Sequence, residues 1–388
     1  MISLLLYLVA DAGRRGYTAL LDAFWDECQT FGIELDCATP VSAAAFCQAR
    51  VKIQPALVRH LMQSVAGEFE SLHGPAFRLK GHRVFAVDGA KISVQRSDDL
   101  FDALGWHADG HCPQMLLSTL YNTLAGVGHD LTVAPTHSCE RTEMLAMLGS
   151  LAPGDILTLD RGYPSFHVFS ELVKRGIHFV VRLPTSNTFR PVEEFLETGQ
   201  REGTVWIRPP RGMRTSHDPI ELRIVVLTRP DGTSIVLATD LPPEEFSRQE
   251  LGEVYHLRWG AEELYKLETG DYLGQGQFHA KTLDGVMQEV FALGLFVNMT
   301  RVFMASAAKE VKKPYRHIYQ KTAVLAVAAY LTRLLLEKRE DEVKRLGHRL
   351  VQRIGRTIVK PRPGRHYKRR SFKPTSKWTP TGKRDSKS

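Results

Sequence analysis

The chain has 388 residues, 43% hydrophobic and 24% charged, with a formal net charge of +8. This is enough for two or three domains around a sizeable core. Five cysteines without a CxxC pair speak against a disulfide scaffold and fit reduced thiols in a cytosolic protein. From Arg356 to Ser388 there are twelve Lys or Arg against one acid, so this tail carries +11 and the rest of the chain sums to −3. A Pro- and Gly-containing polycation of this kind is expected to be disordered and drawn to polyanions, nucleic acid first among them; the alternative is an inert solvated tail.

The opening MISLLLYLVAD has no positive flank and meets Asp11, so it reads as a core helix and not as a signal peptide. Later apolar runs such as Ala323–Leu331 fall short of the ~20 residues of a membrane span. A soluble, cytoplasmic protein without a membrane partner is expected. Residues 1–78 read as helices: Leu4, Leu5, Leu8 and Val9 make one stripe, and Tyr17, Leu20, Leu21 and Phe24 another. Ser42 caps AAAFCQAR, and a helix follows the break at Pro55. Arg50, Lys52 and Arg59 there suit DNA-backbone contact or, equally, an ordinary helical pair.

From about residue 80 the periodicity changes. Val84–Val87 and Ile156–Leu159 are buried-strand runs, each ending in an aspartate, Asp88 and Asp160. Leu116–Asn122 and Leu131–Pro135 form a hairpin around Gly126 and Gly128, and His178–Leu183 is a further strand. The order is β-β-β-α-β-α-β with both aspartates at strand ends, where open α/β sheets gather ligands. Residues 185–242 hold short strand candidates and read as a β-rich insertion. A helix then opens with Pro242 and Pro243 in its first turn. Apolar helices follow from about 284 to 305 and from 322 to 352.

On the helix after the insertion, Tyr255, Arg258, Glu262 and Lys266 share an arc of roughly 80° at about 100° per residue. Val254, Leu257, Ala261 and Leu264 occupy a separate apolar arc. Taken alone, Arg258–Glu262 and Glu262–Lys266 are the i, i+4 pairs of any exposed helix, and Asp88-Gly89 and Asp160-Arg161-Gly162 are turn sequences. Together, three carboxylates from two strand ends and a helix can hold a pair of Mg²⁺ ions, the apparatus for phosphodiester chemistry.

VFAVDG, LDRGY and Y-x2-R-x3-E together resemble the DDE transposases of bacterial insertion sequences, in the insertion-sequence-four branch. SCERTEMLAML, LYKLETG and residues 281–301 are similar to that family's flanks. The resemblance implies an α/β, ribonuclease-H-like mixed sheet flanked by helices, with a β-rich insertion and helical N- and C-terminal parts. It divides the chain into a DNA-binding region (1–78), a catalytic core (79–184 and 243–310) interrupted by the insertion (185–242), a helical region (311–355) and the basic tail (356–388). It implies a metal triad of Asp88, Asp160 and Glu262, with Mg²⁺ or a substituting Mn²⁺. Tyr255 and Arg258 match the signature's contacts with transposon ends, and Arg161 and Lys266 join them as DNA-binding candidates. The signature lysine seven residues after Glu262 is Thr269 here, and Lys266 lies one turn earlier on the same stripe.

The reactions implied are nicking at terminal inverted repeats, hairpin formation and strand transfer into target DNA, by a dimer on double-stranded DNA in the bacterial cytoplasm. The rival readings are an inert DNA-binding relative and a nuclease that cuts without joining. Trp206 in the insertion is either a base-stacking aromatic or a core tryptophan, the latter preferred. His107, His111 and Cys112 read as a polar loop and not as a zinc site. Glu140 and Glu143 either support the metal shell or stabilise a helix N-terminus, the latter preferred.

Overall fold

The computed structural model describes residues 1–11, 16–106, 111–210, 218–229, 232–258 and 278–359. Eight strands build one sheet: β1 (Val84–Ser93), β2 (Gln114–Asn122), β3 (Val127–Pro135), β4 (Ile156–Leu159), β5 (His178–Leu183), β6 (Glu202–Ile207), β7 (Ile220–Thr228) and β8 (Ser234–Thr239). Their order is β3-β2-β1-β4-β5-β8-β7-β6. β1, β4 and β5 are parallel neighbours, and β2 and β3 add antiparallel on one side. This 3-2-1-4-5 half is the ribonuclease-H-like arrangement expected from the sequence. A parallel strand is covered on both faces, which is why Ile156-Leu157-Thr158-Leu159 carries no alternation and is fully buried.

The β-rich insertion is no separate layer. β8 pairs antiparallel with β5, and β7 and β6 follow, so the insertion extends the same sheet. β1 is also longer than its apolar run. Its parallel pairing with β4 reaches Ala86↔Thr158, but it continues to Ser93 against β2. Asp88 therefore sits within a strand and not at its end.

The helices are α1 (Ile2–Ala10), α2 (Tyr17–Thr30), α3 (Ala43–Arg50), α4 (Pro55–His73), α5 (Asp98–Leu104), α6 (Glu140–Met147), α7 (Phe166–Lys174), α8 (Arg190–Glu197), α9 (Arg248–Leu257), α10 (Leu283–Glu310), α11 (Gln320–Leu336) and α12 (Glu340–Gly355). Apolar residues of α6, α7 and α8 cluster with Phe85, Leu157 and Phe179 on one face of the sheet. On the other, Leu251, Val254 and Tyr255 of α9 cover Val84, Ile156 and Val180.

α9 begins later than its prolines suggest. Ser247 caps it, and Ser247 and Glu250 satisfy each other's backbone N–H groups, leaving Pro242 and Pro243 outside. The last apolar stretch is two helices and not one, because Glu337 turns back to take the N–H and guanidinium of Arg339. α5 and α8 were not legible as helices from periodicity.

The N-terminal helices share one core with α10, α11 and α12. α10 is long and apolar enough to cross a membrane, which no apolar run in the sequence suggested, but 78% of its most apolar window is buried inside the protein. Asn298 pins it: its amide donates to the carbonyls of Met62 and Gly128 at 3.2 and 2.8 Å and accepts from Gly128 N–H at 2.9 Å. Gly294 gives Met62 and Leu131 room to approach.

Arg50 and Arg59 are both held in ion pairs within the fold. Arg50 is 5% exposed and donates to Gln288, Tyr17, Glu289 and the Gly285 carbonyl at 2.8–3.0 Å. Arg59 grips both oxygens of Asp130 at 2.8 Å. Each side chain lies opposite a buried acid, and a desolvated carboxylate needs such a partner.

At the N-terminal ends of β1 and β4, Arg83 binds Asp155 through two nitrogens. Beside this pair, His82 Nδ1 lies 2.7 Å from the Gly154 carbonyl and Nε2 lies 2.7 Å from Glu245 Oε1. Two acceptors on two ring nitrogens call for an imidazolium. Burial works against that charge, but the bonds to Gly154 and Glu245 and the nearby Asp155 outweigh it and raise the His82 pKa above the ordinary histidine value.

Candidate active site

The register sets the geometry. Ala86 pairs with Thr158, and Leu159 with Val181. Two steps further along β1 and one along β4 and β5, Asp88, Asp160 and Arg182 fall in a row across three neighbouring strands. Side chains alternate with a period of two, so all three project to the face that α9 covers.

α9 completes the row. The Tyr255 hydroxyl donates to Asp160 Oδ1 at 3.1 Å, and Arg182 Nη1 lies 3.9 Å from the same oxygen. The Arg258 guanidinium packs 5.7 Å from the Tyr255 ring centroid and is 7% exposed. The Tyr121 hydroxyl, from β2, donates to the Arg258 carbonyl at 2.7 Å and ties the end of α9 to the sheet. Tyr255 and Arg258 thus meet the acids as their shared helical stripe implied.

Electrostatics follow from this packing. Burial tends to raise the Asp160 pKa. The N–H of Arg161, the Arg258 charge, the Tyr255 hydroxyl and Arg182 overcome it and hold the carboxyl below its ordinary value. Burial and the Asp160 charge keep the proton on Tyr255. Arg258 loses solvation on burial, yet Tyr255, Asp160 and Asp88 raise its pKa. The result is two acids facing a buried cation, with Asp160 ionised at neutral pH.

Four buried polar groups around Asp88 have no hydrogen-bond partner among the described residues: Thr119 Oγ1, Ser118 Oγ, Tyr163 Oη and Arg258 Nε. Thr119 stands directly opposite Asp88 on β2, and Ser118 opposite Gly89. Leaving such a group unmet costs about 1–3 kcal/mol, so unmet groups gathered at one place mark a ligand position. Hard carboxylate oxygens with neighbouring hydroxyls suit a hydrated divalent cation. Among the described residues, no three His, Cys, Asp or Glu side chains are arranged to hold a metal by themselves. Glu262 and Lys266, with Thr269, lie outside the described residues.

Arg161 is exposed and lines a cavity of about 350 Å³ with Phe166, Phe189 and Arg208, beside the acids. Trp206 is 54% exposed, contrary to the preferred core reading. β6 is the outer strand of the sheet, and its alternation turns Val205 and Ile207 inward and Trp206 out. His111 and Cys112 belong to no described metal cluster. Sequence reasoning passed over Arg182, Tyr121 and Tyr163. A charge inside the apolar run HFVVRL was the available signal for Arg182; the two tyrosines gave none.

Residues 79–299 match the family described as the transposase DDE domain. That is more than half of the chain, and the protein belongs to this family of DDE transposases. A search of curated proteins finds no match. Among solved structures, the chain is similar to a piggyBac transposase determined by cryo-EM as a synaptic complex with hairpin DNA, at 9% identity and a TM-score of 0.46, covering 90% of this chain and 74% of that one. Domains of the matched family use divalent metal ions.

Proposed function

We propose that this chain cleaves DNA at the ends of a mobile element and joins the freed 3′-hydroxyl to target DNA, as a Mg²⁺-dependent enzyme of the insertion-sequence-four branch. The observation that supports this most is the in-register row of Asp88, Asp160 and Arg182 under Tyr255 and Arg258. Asp88 and Asp160 would hold the cation with Glu262, and Mn²⁺ would substitute for Mg²⁺. When bound, the ions supply Lewis-acid activation of water or of a 3′-hydroxyl and stabilise the leaving oxygen.

The chain's own residues supply position and charge. Tyr255 fixes the orientation of the Asp160 carboxylate. Arg258, desolvated and cationic, offers charge-assisted hydrogen bonds to a phosphate oxygen, a role for its unpaired Nε–H. Arg161, Lys266 and Trp206 would contact DNA near the cut. Double-stranded DNA bearing terminal inverted repeats is the substrate, a dimer forms on it, and the enzyme works in the bacterial cytoplasm on the nucleoid.

The test is incubation of the protein with Mg²⁺ and DNA carrying the inverted repeats that flank its coding frame. Cleavage followed by joining is expected. Asp88→Asn, Asp160→Asn and Glu262→Gln are each expected to abolish cleavage while sparing DNA binding. Cleavage without joining would identify a nuclease, and binding without cleavage an inert relative.

A further inference from the structure

The acidic site has a further carboxylate nearby that the proposed triad does not use. Glu140, the first residue of α6, reaches β1 from the face opposite α9. A Cβ at Gly89 would stand 3.1 Å from Glu140 Cδ and 3.2 Å from Cγ. No positive φ calls for glycine at 89, and glycine inside a strand costs about 0.5–1 kcal/mol against alanine. What this glycine provides is room for the Glu140 carboxylate directly behind Asp88.

A second observation points to a ligand at the same place. Tyr163, from the loop after β4, is 3% exposed, and its hydroxyl has Glu140 as its near acceptor, short of a regular hydrogen bond among the described residues. It lies within electrostatic reach of Glu140, Asp88 and Arg258 together. A buried hydroxyl beside two carboxylates, with no regular hydrogen bond of its own, is one that a bridging water can complete. A helix-terminal role explains neither feature. The dipole favours any acid in the first turn, and it requires neither a gap at residue 89 nor a buried hydroxyl alongside.

We propose that Glu140 is a positioning residue of the cation site, holding with Tyr163 a water of the ion's hydration shell behind Asp88. This rests on the reading of Asp88 and Asp160 as cation-holding residues. Glu140 acts through water and not as a direct ligand, consistent with the lack of a three-acid cluster among the described residues. Groups of this kind set metal affinity by orienting what touches the ion.

Mn²⁺ binding to the full-length protein without DNA, followed by the electron paramagnetic resonance signal of free Mn²⁺, tests the proposal. Glu140→Gln is expected to weaken binding about tenfold with the melting temperature unchanged. Gly89→Ala, which displaces the carboxylate but keeps its charge, is expected to weaken binding in the same direction. Asp88→Asn serves as the reference. If it loses Mn²⁺ while Glu140→Gln binds as the wild type does, Glu140 is only a helix-terminal charge and the proposal fails. If Asp88→Asn leaves Mn²⁺ affinity unaltered, the cation site itself is wrong and the proposal falls with it.

Discussion

The two ends of the same parallel strands are built on opposite terms. At the N-terminal end of β1 and β4, charges are closed off: Arg83 is matched by Asp155, and His82 by Gly154 and Glu245. The neighbouring cavity of about 840 Å³ is similar, since its Arg223 is spent on Glu202 and the carbonyls of Leu241 and Phe246. At the C-terminal end, Asp88 and Asp160 sit among hydroxyls and a guanidinium nitrogen without partners. Saturated polar groups hold a fold together, whereas unsaturated ones are a reserve that only a ligand can use. The larger cavity thus lies at the end opposite to the candidate site.

The largest contrast is expected from the acids. Asp88→Asn or Asp160→Asn should reduce DNA end cleavage by at least about a hundred- to a thousandfold, the range that loss of a preorganised electrostatic element costs, with little change in thermal stability. A large loss of stability instead would move these residues from the functional end to the structural one.

Asp155→Asn should do the reverse. It leaves the Arg83 guanidinium, 15% exposed, without its counter-charge, at a cost of about 3–5 kcal/mol. Denaturant unfolding checks this, and Mn²⁺ affinity of the folded fraction should be unaltered.

Trp206→Ala is expected to weaken binding to single-stranded or hairpin DNA by about 1–3 kcal/mol per stacked base while stability stays within about 0.5 kcal/mol. An unchanged affinity in a binding titration would return Trp206 to the ordinary surface.

The smallest effect concerns pH. The folded-state pKa of His82 is raised, so its contribution is present in full below the unfolded histidine value of about 6.5. It is lost as pH rises through the folded pKa. The melting temperature should therefore decline across that window in the wild type, and less steeply in His82→Gln. Parallel profiles would mean that the imidazolium is not what joins β1, β4 and the approach to α9.

Much of this was readable before any coordinates. Unbroken apolar runs placed β1 and β4 and a period of 3.6 placed α9, and the stripe of Tyr255 and Arg258 arrived beside Asp160 because helix spacing is rigid over one turn. What could not be read depends on pairing. Strand order decided that the insertion would lengthen the catalytic sheet, and edge position decided that Trp206 would face outward. Arg50 and Arg59 looked like a basic surface because their acid partners, Glu289 and Asp130, lie 239 and 71 positions away. Tyr163 and Glu140 converge on Asp88 only through the turn of the fold.

The Arg50 lock has one more consequence. The segment matched by the family begins at residue 79, yet Gln288 and Glu289 on α10 are satisfied from α3. A protein trimmed to the matched segment would lose the Arg50 guanidinium from Glu289 and, among the described residues, keep only its contacts with His279. Buried polar bonds thus tie α3 to α10 across the boundary of the matched segment, so the leading helices and the sheet fold against a shared core.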